Sequence, residues 1–114
     1  MQIETLREFI AIVQYGSFTG AAKALYLSQP TLSKHIATLE KQIGHKLFFD
    51  GHPLILTEAG RITMEYASGV VSQTDMMQLR LERLRRQKPE LVRIQDLTFF
   101  EHLSLRSQDV KKAV

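Results

Sequence analysis

The sequence contains no cysteine. That excludes a disulfide framework and any thiolate metal site, and it fits a reducing cytosol. No apolar run approaches the roughly 20 residues that a bilayer span needs. The N-terminus, MQIETLREF, has neither a basic leader nor a continuous apolar stretch, so it does not read as a signal peptide. Also missing are a glycine-rich phosphate loop, a nucleophile paired with a base, and ligand spacing for a metal. His35, His45 and His52 join no carboxylate cluster and read as solvated surface histidines. The expectation is a chain that is not an enzyme and holds no cofactor. Charge of one sign is scarce as well. The net charge is +3, yet residues 1–60 hold five bases and five acids, and the excess lies in residues 61–88, with six bases against three acids. Bulk charge therefore gives the first half no claim on nucleic acid.

What is present is pattern. With 114 residues, 44% of them hydrophobic, the chain has the material for one compact domain and an appendage. Ile3, Leu6, Phe9, Ile10 and Val13 recur at helical spacing over residues 3–15, and Gly16 ends that helix. Thr19 is a cap candidate for a short second helix whose inward residues are Ala21, Ala22 and Leu25. Ser28 caps a third helix, with Pro30 in its first turn, where a missing N–H costs nothing. Leu32, Ile36, Leu39 and Ile43 give that helix an apolar stripe, and Gly44 closes it. The period then changes. Two apolar runs, Leu47-Phe48-Phe49 and Leu54-Ile55-Leu56, flank Asp50-Gly51-His52-Pro53 and predict a small hairpin. Thr57 caps a helix expected to run over residues 58–88, to Lys88-Pro89. Ile62, Tyr66, Val70, Gln73, Met77, Leu81 and Leu84 form its apolar seam, at spacing close to a coiled-coil stripe. Leu91 to Ile94 has the composition of a short strand, and residues 99–114 have helical character without a core of their own.

A helix-turn-helix reader needs one helix braced across the duplex and a second whose N-terminal residues enter the major groove. Residues 18–43 meet that requirement. Opposite its stripe the third helix offers Gln29, Thr31, Ser33, Lys34, Thr38 and Lys41. Gln pairs with adenine, Lys with guanine or phosphate, and Ser and Thr with base edges or phosphates, while Pro30 can pack on a thymine methyl. The hairpin over 46–57 would serve as a wing, with Lys46 and His52 its cationic contacts. The same polar positions also fit a solvated face, and the neutral reader keeps open an alternative: a winged helix used as a protein-interaction or assembly module.

The pieces Gly16-Ser17-Phe18-Thr19, Ala21-Ala22, Leu27-Ser28-Gln29-Pro30, Leu32-Ser33, Ile36, Leu39-Glu40, Gly44, Leu47-Phe48 and Leu56-Thr57-Glu58-Ala59-Gly60 together resemble the DNA-binding domain of LysR-type bacterial transcriptional regulators. The resemblance covers residues 1–60 and extends through the long helix. It implies a mainly α fold: a winged helix-turn-helix with a small β-hairpin wing over 1–57, followed by a long dimerisation helix over 58–88. Residues 89–114 would then be the start of a truncated or absent effector-binding domain, with no small-molecule site in this chain. It implies duplex DNA as partner, with Gln29, Pro30, Ser33 and Lys34 in the major groove and Ser17, Thr31 and Thr38 at the backbone. It further implies a homodimer through Ile62, Tyr66, Val70, Met77, Leu81 and Leu84, a tetramer in a full-length form, and a bacterial, cytoplasmic, nucleoid-associated location. Phe49-Asp50 stands where the family commonly has arginine, and the wing is about one residue short. An arginine in a narrow minor groove reads A·T shape, so weaker indirect readout is expected here.

Overall fold

The structure is a computed structural model that describes residues 1–87 and 91–96. These divide between two units, Met1–Arg80 and Leu81–Val114. The first carries helices α1 (Ile3–Tyr15), α2 (Phe18–Leu25) and α3 (Gln29–Ile43), strands β1 (Phe48–Phe49) and β2 (Ile55–Leu56), and most of α4 (Glu58–Leu84). In this first unit the elements follow the expected order.

Leu6, Phe9 and Ile12 bury the inner face of α1, with Ile10 and Val13 half-buried at its flanks. Against them pack Ala21 and Ala22, which bring α2 close, and the α3 stripe Leu32, Ile36 and Leu39, with Ile43 half-buried at its end. Each full burial of a Leu, Ile or Phe side chain is worth about 1.5–3 kcal/mol, so this stripe dominates the fold. Phe48 carries the hairpin into the same core. Its ring lies 5.5 Å from those of both Phe9 and Phe18, tilted against each, as aromatic quadrupoles prefer.

The helix ends follow their local chemistry. Gly16 and Gly44 adopt φ of +67° and +83°, and their N–H groups reach back to the carbonyls of Ile12 and Glu40. Ser28 Oγ accepts from the Thr31 N–H at 3.2 Å, with Pro30 in the first turn. At α2 the cap is Ser17, not Thr19: Ser17 Oγ accepts from the Gly20 N–H at 2.9 Å. A Cβ at position 20 would sit 2.8 Å from that oxygen, so glycine there makes room for the bond.

β1 and β2 pair antiparallel, Phe48 with Leu56 and Phe49 with Ile55. Phe48 points inward and is buried, and the exposed Phe49–Ile55 pair lies on the outer face. The hairpin root is knotted to the start of α4. Thr57 Oγ donates to the Lys46 carbonyl at 2.6 Å and accepts from the Gly60 N–H at 3.0 Å. The Thr57 N–H bonds the Leu47 carbonyl at 3.0 Å. Gly60 is buried here, and a Cβ on it would collide with that same Leu47 carbonyl oxygen.

α4 turns Gly60, Thr63 and Ala67 to its own domain, with Met64, Val70 and Val71 half-buried against the core. Farther along, Arg7 of α1 holds Asp75 through two guanidinium hydrogen bonds of 2.6 and 3.3 Å. Those bonds pull the Asp75 carboxyl below its ordinary range.

In the second unit, α4 ends at Leu84 rather than running to 88. The N–H groups of Arg85, Arg86 and Gln87 each reach the carbonyl three residues back, the tightening common where a helix ends. Lys88 and Pro89 lie outside the described residues. Leu91 to Ile94 is not a strand: residues 91–93 are irregular and Ile94–Asp96 is a single 3-10 turn. A strand needs a ladder partner, and among the described residues none pairs with this segment. The expected helical character of 99–114 also lies outside the described residues.

Candidate nucleic-acid interface

The outer face of α3 is built by the residues that its inner face excludes. With Leu32, Ile36 and Leu39 fixed in the core, Gln29, Pro30, Thr31, Ser33, Lys34, Thr38 and Lys41 are all exposed. The sequence-predicted readers therefore come together along one helix, crowded toward its N-terminal end. Capping settles which polar atoms remain free. Ser28 Oγ donates to Thr31 Oγ1 at 2.7 Å, which leaves the Thr31 hydroxyl hydrogen for an outside acceptor. Thr38 donates its hydroxyl to the Lys34 carbonyl at 3.1 Å and keeps only acceptor capacity. Gln29 Oε1 meets the Thr19 hydroxyl at 3.4 Å, a long bond, so the amide stays available for a bidentate partner. Ser17 Oγ accepts the α2 capping bond, which leaves its hydroxyl hydrogen for an outside acceptor.

Formal neutrality of residues 1–60 hides which of its charges are already paired, Arg7 with Asp75 among them. Glu8 is buried against His35, whose Nδ1 lies 2.7 and 2.8 Å from the two carboxylate oxygens. Glu40 turns back on its own chain, accepting the Leu47 N–H at 2.8 Å with Lys46 Nζ 3.7 Å away. Glu58 is committed to Arg61 at 2.7 Å, and the guanidinium holds its carboxyl below the ordinary range. Three of the five acids are thus withdrawn. Among the described residues no carboxylate pairs with Lys23, Lys34 or Lys41. Such exposed, unpaired cations attract phosphates, the more so at low salt.

The wing is weaker. His52 is exposed, but Lys46 already leans on Glu40, and the exposed side of the ladder is apolar. His35 departs from the solvated role expected of it, since it braces α3 on α1. Sequence reasoning missed that brace, along with Arg7–Asp75. Along the long helix, Ile62, Tyr66, Met77, Leu81 and Leu84 are each at least half exposed, as is Met76, whereas Val70 is drawn half into its own domain. Among the described residues there is no cluster of three metal-ligating side chains, and no helix long and apolar enough to cross a membrane.

A braced helix pair, an exposed polar helix tip and a following hairpin define a winged helix-turn-helix. Residues 3–61 match the family described as bacterial regulatory helix-turn-helix protein, lysR family. The chain belongs to that family. It is 33% identical over 94 residues to the HTH-type transcriptional regulator YtlI of Bacillus subtilis, covering 82% of this chain and 30% of the relative. It is 45% identical over 71 residues to a probable RuBisCO transcriptional regulator of Cyanidioschyzon merolae, covering 61% of this chain and 23% of the relative. The chain thus spans less than a third of the length of either. Among solved structures it is similar to the BenM DNA-binding domain in complex with catB site 1 DNA, at 35% identity and a TM-score of 0.74, over 77% of this chain and all of that one.

Proposed function

We propose that the chain is the DNA-reading part of a dimeric transcription regulator that binds duplex DNA by sequence. The surface of α3 carries this reading: an exposed polar N-terminal half with an unpaired lysine, on a helix held from behind by a buried stripe. Gln29, Pro30, Ser33 and Lys34 meet base edges in the major groove, with Ser17, Thr31 and Thr38 supporting or touching the backbone. The hairpin rests near the backbone or minor groove, with Lys46 and His52 as its cations. Residues 1–57 form the reader, and α4, Glu58–Leu84, is a homodimer helix using Ile62, Tyr66, Val70, Met77, Leu81 and Leu84. Residues 89–114 would be the start of a truncated or absent effector-binding domain, and a longer form would assemble further, as a tetramer. A duplex-DNA target places the protein with the bacterial nucleoid.

Fluorescence anisotropy against DNA selected from a random library tests the reading. Affinity should fall by about 0.9 log units per log unit of salt for each phosphate contact. Gln29→Ala and Lys34→Ala should each cost about 1–3 kcal/mol on the selected site and relax its specificity. No binding at ~50 mM salt would sink the proposal. A second reading, an assembly module, draws on the exposed Phe49–Ile55 pair and expects that negative result.

A further inference from the structure

Tyr26 is the only non-glycine residue in the left-handed region among the described residues, at φ +57° and ψ +38°. The other positive-φ positions there, Gly16, Gly44 and Gly51, are glycine. A side chain at such a position crowds the neighbouring carbonyl, which glycine avoids. The closure of α2 does not need the ring. The Tyr26 N–H bonds the Lys23 carbonyl at 3.3 Å and the Leu27 N–H the Ala22 carbonyl at 2.9 Å, bonds that glycine would make equally well. Nor does the core need it, because the side chain is 96% exposed. The residue is thus kept in a backbone conformation that disfavours it, for a side chain that the fold leaves in water. Such an outlier points to work outside the chain.

Its place says what work. Tyr26 sits in the turn between α2 and α3, two residues before the Ser28 cap and three before Gln29, the first residue of the reading helix. The chain from 26 to 29 can span no more than about 10 Å. Lys23, in the last turn of the preceding helix, is exposed and has no carboxylate partner among the described residues. An exposed phenol, three residues after an unpaired lysine and just ahead of the reading helix, suits a phosphate oxygen, to which tyrosine hydroxyls commonly donate. Resting on the DNA-binding reading above, we propose that Tyr26 is a further DNA-contact residue. Its hydroxyl donates to a backbone phosphate at the edge of the half-site and fixes how deeply α3 enters the groove.

The contact is neutral, and that makes it separable from the lysine contacts. Tyr26→Phe, Tyr26→Gly and Lys34→Ala are compared with the wild type by anisotropy on one selected DNA at several salt concentrations, and by thermal unfolding. Loss of a hydrogen bond to a charged group corresponds to about 10-fold or more in affinity. Tyr26→Phe should show that loss with an unchanged salt slope and an unchanged unfolding midpoint, whereas Lys34→Ala should make the slope shallower. Tyr26→Gly should bind at least as weakly as Tyr26→Phe and unfold at a higher temperature. Wild-type affinity in Tyr26→Phe overturns the proposal, even if Tyr26→Gly is weak, because the hydroxyl would then be idle. A wild type that binds no DNA overturns both this contact and the reading on which it rests.

Discussion

Glu8 is the carboxylate of α1 that the fold withdraws from water, and His35 is the group that meets it. A buried carboxylate left without its partner loses its solvation with nothing in return. Replacing His35 by alanine should therefore destabilise the domain by about 1–3 kcal/mol in urea unfolding. An unchanged midpoint would mean that water satisfies Glu8 equally well. Gly60 shows the opposite constraint, since the need there is for empty space. Gly60→Ala forces the Leu47 carbonyl and the Leu56 side chain apart, and overpacking of that kind costs about 1–3 kcal/mol, read in the same experiment. At this scale the sequence was readable wherever chemistry is local. Ser28, Thr57, Gly16 and Gly44 stop and start helices by bonds within a few residues. Thr19 misled because Ser17 and Thr19 are both competent caps two residues apart, and Gly20 decides for Ser17. The Glu8–His35 brace was illegible because 27 residues separate its members and only packing joins them.

Among the elements, α4 has two unlike faces. Its inner face is small, Gly60, Thr63 and Ala67, and Asp75 extends the contact through Arg7. Arg7 lowers the Asp75 carboxyl, so the folded state favours the ionised form. The contribution is present above the ordinary carboxylate range and is lost as pH falls through the lowered value. The difference in urea midpoint between wild type and Asp75→Asn should hence be seen at pH 7 and shrink toward zero below about pH 4. A difference that persists in acid would mean that the asparagine substitution acts by packing. Periodicity foretold the outer seam of this helix because alternation of apolar residues every three or four positions is a property of the sequence itself. It did not foretell the end at Leu84 or the absence of a strand at 91–94. The first shows only as the tightened turn at Arg85 to Gln87, and the second depends on a ladder partner.

For the whole molecule, the proposed dimer makes the exposed seam meaningful. Ile62, Tyr66, Met77, Leu81 and Leu84 would otherwise leave a row of large apolar groups in water. Tyr66→Glu should yield monomer at low micromolar concentration in sedimentation, since it places a charge in that seam. A persisting dimer would put the interface elsewhere. Val70, drawn toward its own core, should matter less than its position in the repeat implied. Net charge was the poorest guide at this scale. It counts Glu8, Glu40 and Glu58 equally with Lys34, although the fold ties up the first three and leaves the last free.

The knot at Thr57 bears on what kinds of operator such a molecule could serve. One hydroxyl joins the hairpin root to the first turn of α4, and Gly60 lets the helix lie against the backbone of that root. There is no slack linker between the hairpin and the first turn of α4, so neither can swivel there without breaking bonds in the other. In the proposed dimer, a pair of readers held that way is a gauge of fixed width. Inserting half a helical turn between the two half-sites would rotate one of them out of reach, and the chain has no spare length with which to follow it.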